Sequence, residues 1–144
     1  MMNYGTLEGV GRLRNLAAER NLSAPARFWS TPPEVLHRIY NGVGPDRWSA
    51  RFRAAVTALL ERYEEEALIH DWEYTFQPKT RLHFLLANLR FAVNAIIAAY
   101  DRCGVFSRRF WADAGLGIVL AMLCQLFGWS GYRLTKEKEF NENA

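Results

Sequence analysis

Cysteine is scarce: Cys103 and Cys124 are the only two in 144 residues. That excludes a disulfide framework and points to free thiols in a reducing compartment. The N-terminus, Met1-Met2-Asn3-Tyr4-Gly5, lacks the charged and then apolar stretches of a secretory signal, so none is expected. The most apolar run, Leu116 to Trp129, falls short of the ~20 residues that span a bilayer. The expectation there is a buried core helix, with no transmembrane helix in the chain. Charge of one sign is also in short supply. The net charge is +3, and the arginines of the first half, from Arg12 to Arg62, form no dense cluster. Specific nucleic-acid binding is therefore not expected. The arginines read as a solvated face, with approach to anionic lipid as the sharper alternative. There is no phosphate loop and no dinucleotide fingerprint. Gly128-Trp129-Ser130-Gly131-Tyr132 ends in the wrong residue for a nucleophile elbow. No internal repeat is visible, nor any strand-period run long enough for a sheet.

What is present is core material. Hydrophobic residues make up 50% of the chain and aromatics 14%, enough for a single helical domain spanning residues 1–144 without staples. Thr6 is placed to cap a first helix carrying Leu7, Val10, Leu13, Leu16 and Ala17 at helical spacing, fading near Asn21. Residues 1–33 thus read as a short helix and a loop containing Pro25. Thr31 then reads as the cap of a helix entered through Pro32-Pro33 and running to about Tyr40. Asn41-Gly42-Val43-Gly44-Pro45 must be a tight loop. Asp46 caps a helix from Arg47 with Trp48, Phe52, Val56, Leu59 and Tyr63 on one face. Glu64-Glu65-Glu66 marks a break or an exposed turn before helicity carries through Tyr74. Gln77-Pro78 stops it. Lys79 to Tyr100 is the strongest helix, apolar on most sides and so expected to be central and largely buried. Gly104 ends it, Ser107 starts the last long helix to about Phe127, and residues 134–144 read as a charged, frayed tail. The fold class is all-α, with two long antiparallel helices carrying the site described next.

His70 and Tyr74 are four apart and share a helix face. Asp71 is turned by about 100° from His70, so imidazole and carboxylate aim at neighbouring points. If a glycine loop lies opposite, its carbonyls and Asp71 could hold a hard cation such as calcium. His70 could then act as general base on a water beside the ion, while the metal polarises an ester carbonyl. Glu66 and His70 also share a face, but no third ligand for a transition metal is evident. His37 and His83 sit among apolar neighbours and read as structural.

Three elements in order resemble the phospholipase A2-like superfamily, in its cysteine-poor microbial and phage-encoded branch. They are Asn41-Gly42-Val43-Gly44-Pro45, Ala67-Leu68-Ile69-His70-Asp71-Trp72-Glu73-Tyr74 and Ala87-Asn88-Leu89-Arg90-Phe91. That branch pairs a glycine loop with His-Asp-x-x-Tyr on one helix and Ala-Asp-x-x-Phe on the next. A related phage family adds an arginine between the two motifs and a C-terminal Phe-Gly, which Arg81 and Phe127-Gly128 fit. The resemblance covers roughly residues 40–132. It implies His70 as general base and Asp71 as a calcium ligand, with the carbonyls of Gly42 and Gly44 as co-ligands. It implies Tyr74 as a hydrogen-bonding member of the dyad network. The family's second aspartate, which orients the histidine, is Asn88 here; Val43 and Pro45 depart from the loop, and the bracing cysteines are missing.

The resemblance therefore implies a calcium-dependent hydrolase of phospholipid esters, working at a membrane surface. Asn88 in place of the aspartate gives the alternative, a catalytically inactive, phage- or prophage-type interaction protein on the same fold, with a protein partner. Either fits a cytoplasmic or virion-associated location. A third reading is a membrane-active helical protein acting through Leu116–Trp129. The packing expected of a genuine site brings one imidazole nitrogen of His70 within hydrogen-bonding range of Asn88, with Tyr74 on the same side.

Overall fold

The structure, a computed structural model, describes residues 6–40 and 61–134. Thr6 accepts from the Gly9 N–H and starts α1 (Leu7–Glu19). The chain turns out through Asn21, held at φ 55°, a left-handed conformation that asparagine tolerates better than most residues. Two short helices follow, α2 (Ala26–Trp29) and α3 (Pro33–Ile39). The first of these replaces part of the expected loop. Thr31 does not cap α3. Its hydroxyl donates to Arg27 O at 2.7 Å and accepts from Trp72 Nε1 at 2.8 Å. A buried indole N–H needs an acceptor, and Thr31 supplies it. The glycine loop at 41–45 and the expected helix from Arg47 lie outside the described residues up to position 60.

The three longest remaining elements are α4 (Glu64–Phe76), α5 (Arg81–Cys103) and α6 (Arg108–Phe127), with a short α7 (Trp129–Leu134). Each boundary has a local cause. Thr80 accepts from the His83 N–H at the start of α5, and Ser107 from the Arg109 N–H at the start of α6. Gly104 leaves α5 at φ 68°, where a side chain would be strained. His83 Nδ1 lies 2.8 Å from the Thr80 hydroxyl, a structural role at the helix start. No strand occurs among the described residues, and the fold is all-α.

Contact registers show how the helices run. His70 meets Asn88 and Tyr74 meets Phe84, so α4 and α5 are antiparallel. Gly117 meets Ala95 and Gln125 meets Asn88, so α5 and α6 are antiparallel too. α1 to α4 close one core around Val10, Leu13, Phe28, Leu36, Leu68 and Trp72. A second core, with Tyr63, Ala67, Phe91, Ala95 and Ala121, joins α4 to the α5–α6 hairpin. Asn94, fully buried on α5, donates to Ser23 O and accepts from the Ser23 N–H, tying the exit of α1 to the hairpin.

Close approach of α5 and α6 depends on one glycine. A Cβ on Gly117 would stand 2.3 Å from the Ala95 Cβ and 3.3 Å from Tyr63 Cε1. Gly117→Ala should therefore cost about 1–3 kcal/mol by forcing the helices apart. Gly115, where an added methyl would meet nothing within 4 Å, provides the control. Gly115→Ala should stabilise by up to about 1 kcal/mol through helix propensity. Urea denaturation reads both, and equal changes at the two positions would contradict the packing argument.

The hairpin differs from expectation in one respect. Neither α5 nor α6 is buried all round. On α5, Leu82, Leu86, Leu89, Val93 and Tyr100 are exposed, and on α6 Trp111, Val119, Met122, Leu126 and Phe127 are. Both helices are long and apolar enough to cross a membrane, because helical ends extend past the uninterrupted apolar run. An apolar outer face looks the same in sequence whether a core or something else covers it.

Candidate active site

α4 is the polar heart of the fold. Glu65, Glu66, His70, Glu73 and Thr75 are all buried on it beside Leu68, Ile69 and Trp72. Two of its carboxylates are carried by neighbouring elements: Glu65 pairs with Arg20 at 2.5 Å, and Glu73 with Arg90. Glu66 is fully buried, and among the described residues neither of its carboxyl oxygens has a hydrogen-bond partner. Burial, with the Glu65 charge second, pushes its pKa up to about 8.

The expected pair is assembled. His70 Nε2 lies 2.8 Å from Asn88 Oδ1, and the Tyr74 hydroxyl donates to the same oxygen at 3.1 Å. Asn88 Nδ2 donates to Gln125 Oε1 at 2.8 Å. An amide oxygen only accepts, so Nε2 carries the imidazole proton and Nδ1 keeps the lone pair. Rings fix the imidazole from two sides, with Tyr74 at 4.1 Å and Phe91 edge-on at 5.4 Å between centroids. Burial lowers the His70 pKa to about 4, while the Asn88 bond acts the other way. The imidazole is thus neutral, oriented and basic at one nitrogen.

Asp71 is half-buried beside it. Among the described residues its carboxylate makes no hydrogen bond or ion pair, and desolvation raises its pKa to about 7. A desolvated carboxylate with no cation fits a ligand for a hard metal ion, which favours oxygen donors. The proposed co-ligands Gly42 and Gly44 lie outside the described residues. No group of three or more His, Cys, Asp or Glu that could hold a metal occurs among the described residues, and Glu66 does not join His70 in one. Any cation here would rest on Asp71 with carbonyls and water.

The surroundings are built around Tyr74. A Cβ on Gly128 would stand 2.8 Å from the Tyr74 hydroxyl and 2.5 Å from Cys124 O, so only glycine fits there. Tyr132 packs edge-on against Tyr74 at 5.0 Å and donates to Pro78 O at 2.7 Å. Lys79 Nζ donates to Tyr74 O at the end of α4, where a cation complements the helix dipole. Arg81 stacks on Trp129, 3.8 Å from the ring centroid. Cys124 is a free thiol, and burial with the Asp71 charge pushes its pKa up to about 11. A thiol held protonated is no nucleophile.

No family model, curated protein or solved structure matches the chain. What the site can do follows from its own geometry. Sequence reasoning missed Gln125, which holds Asn88, and named Phe91 as a motif residue without its role beside the His70 ring. The periodicity of α5 carried a signal for Phe91, one turn beyond Asn88. Gln125 is 37 residues from its partner, and nothing local marks it.

Proposed function

We propose that the protein is a phospholipase A2-like hydrolase of phospholipid esters, with His70 as general base and Asp71 as calcium ligand. One observation carries this reading: a buried neutral imidazole with Nε2–H anchored on Asn88 and Nδ1 unengaged among the described residues, next to a desolvated carboxylate. Nδ1 takes a proton from the water that attacks the ester carbonyl, and returns it to the departing alkoxide. Asn88 and the Tyr74 and Phe91 rings keep the imidazole aimed during both transfers. Calcium, bound through Asp71 and the carbonyls of Gly42 and Gly44, would supply polarisation of the ester carbonyl. Burial makes the base weak, and Asn88, a neutral amide, offsets this less than a carboxylate balancing the imidazolium would.

Fatty-acid release from phosphatidylcholine vesicles, titrated with calcium, tests the metal half. Release should require calcium, and Asp71→Asn should lower it by at least ~100-fold. Equal release in a chelator, or by Asp71→Asn, overturns the assignment.

The second reading, a non-catalytic phage- or prophage-type interaction protein, draws on the same network. Asn88 is satisfied on both its oxygen and its nitrogen, so the cluster can serve as a core polar lock. A partner retained by His70→Ala would favour it.

A further inference from the structure

The outer face of the α5–α6 hairpin takes no part in the site, and two kinds of occupant suit an apolar helix pair: a second copy or a lipid layer. Charge decides between them. Along α5 from Leu82 to Tyr100, roughly 27 Å of helix, the one charged side chain is Arg90, which turns inward to Glu73. Along α6 from Trp111 to Phe127 the one charged side chain is Asp113, which is buried with Arg62 at 3.0 Å. The outward surface between is uncharged, with Leu86, Leu89, Ile118, Met122 and Leu126 exposed. Both ends are basic. Arg108 and Arg109 are exposed at the α5–α6 turn, where Arg109 also lies 3.8 Å from Asp113 and exposed Asp101 is paired with Arg20, and Arg81 and Arg133 are exposed at the opposite end.

A two-fold dimer through this face sets basic end against basic end, whether the hairpins run parallel or antiparallel. Phosphate headgroups meet all four arginines favourably. Aromatic placement agrees: Phe106 is fully exposed at the turn with Trp111 close by, and Phe127 is exposed at the other end. Aromatic and basic rims around an apolar band are what a lipid–water boundary selects. The opposite side of the hairpin carries α4, with buried Glu65, Glu66 and Glu73, and beyond it α1, with exposed Glu8 and Arg12. Immersing those charges in hydrocarbon is too costly for the hairpin to span.

We infer that the protein docks on anionic phospholipid membranes through the outer face of the α5–α6 hairpin, lying in the plane of the interface with α1–α4 in water. Docking does not depend on hydrolysis.

Vesicle co-sedimentation in chelator tests it, using phosphatidylcholine with and without about one third phosphatidylglycerol. The wild-type chain should bind the anionic vesicles at least ~10-fold more tightly than the neutral ones. Leu89→Glu/Met122→Glu, at exposed positions, should lose at least ~10-fold in binding while keeping its circular dichroism and melting temperature. Arg108→Gln/Arg109→Gln should weaken the anionic preference and leave the part due to Arg81 and Arg133, and an undiminished preference would count against the docking. His70→Ala should bind as the wild type does, and a wild type that binds yet releases no fatty acid sinks the hydrolase reading alone. Wild-type protein left in the supernatant with both vesicles overturns the docking, as does unchanged binding by Leu89→Glu/Met122→Glu. A wild-type dimer that this double variant converts to monomer, with no vesicle binding, assigns the face to a second copy instead.

Discussion

Asn88→Asp should raise calcium-supported fatty-acid release by at least ~10-fold over wild type. Asn88 Oδ1 accepts from Nε2–H of His70 and from the Tyr74 hydroxyl. An aspartate keeps both bonds and adds a negative charge beside the ring that becomes an imidazolium during proton transfer. Losing that charge from a histidine–carboxylate pair costs orders of magnitude in a serine-protease triad, so restoring it should recover part of such a loss. The Gln125 amide can rotate to donate where it now accepts from Asn88 Nδ2. Stability should move the other way. Asn88 is 2% exposed, and a carboxylate buried there pays desolvation that a neutral amide does not. Release assays and thermal melts on the same preparations read both. A lower melting temperature with no gain in rate would place His70 and Asn88 in a structural network.

Glu66→Gln should flatten the pH dependence of stability above neutrality. Glu66 is fully buried with no hydrogen-bond partner among the described residues, and its pKa is raised from 4.5 to about 8 by burial and by Glu65. The folded state therefore holds this proton more tightly than the unfolded state does. The associated stability is fully present below pH 4.5 and is lost as pH rises through about 8, at ~1.4 kcal/mol per pH unit across that window. His70 acts oppositely, because its lowered pKa removes stability as pH falls from 6.5 towards about 4. The region above pH 6.5 is therefore free of that opposing contribution. Between there and pH 8 the wild-type protein should lose roughly 2 kcal/mol through Glu66 alone. Glutamine has the same shape and no charge to desolvate, so that loss should vanish. The melting-temperature advantage of Glu66→Gln over wild type should grow by roughly 4–8 °C between about pH 6.5 and pH 8, and it should be smallest near pH 5. Parallel curves across the whole range would mean that Glu66 is not the group titrating.

Much of the helical framework was legible because its signals are local. Thr6, Thr80, Gly104 and Ser107 stop or start helices through their own backbone and hydroxyl chemistry. The pairing of His70 with Asn88 was legible because a short connection at Gln77–Thr80 forces α4 and α5 to face each other. Other features depend on distant residues. Thr31 looked like a helix cap until Trp72, 41 positions away, claimed its hydroxyl. Four-residue α2 and six-residue α7 are too short for periodicity to register. The largest misreading concerned α5 and α6. Apolar residues on most sides of a helix predict burial, yet Leu86, Leu89, Met122 and Leu126 stand exposed. Sequence pattern records that a surface avoids water and does not record what covers it. The glycine loop expected to complete the cation site, at Gly42 and Gly44, lies outside the described residues.

The central claim is that His70 Nδ1 is the base in phospholipid ester hydrolysis. Fatty-acid release by wild type and His70→Ala, side by side on phosphatidylcholine vesicles with calcium, tests it most directly. Truncating a general base should lower the rate by about 10²–10⁴-fold, to the vesicle-only background. Release by His70→Ala at the wild-type rate, or none by the wild type itself, would contradict the account.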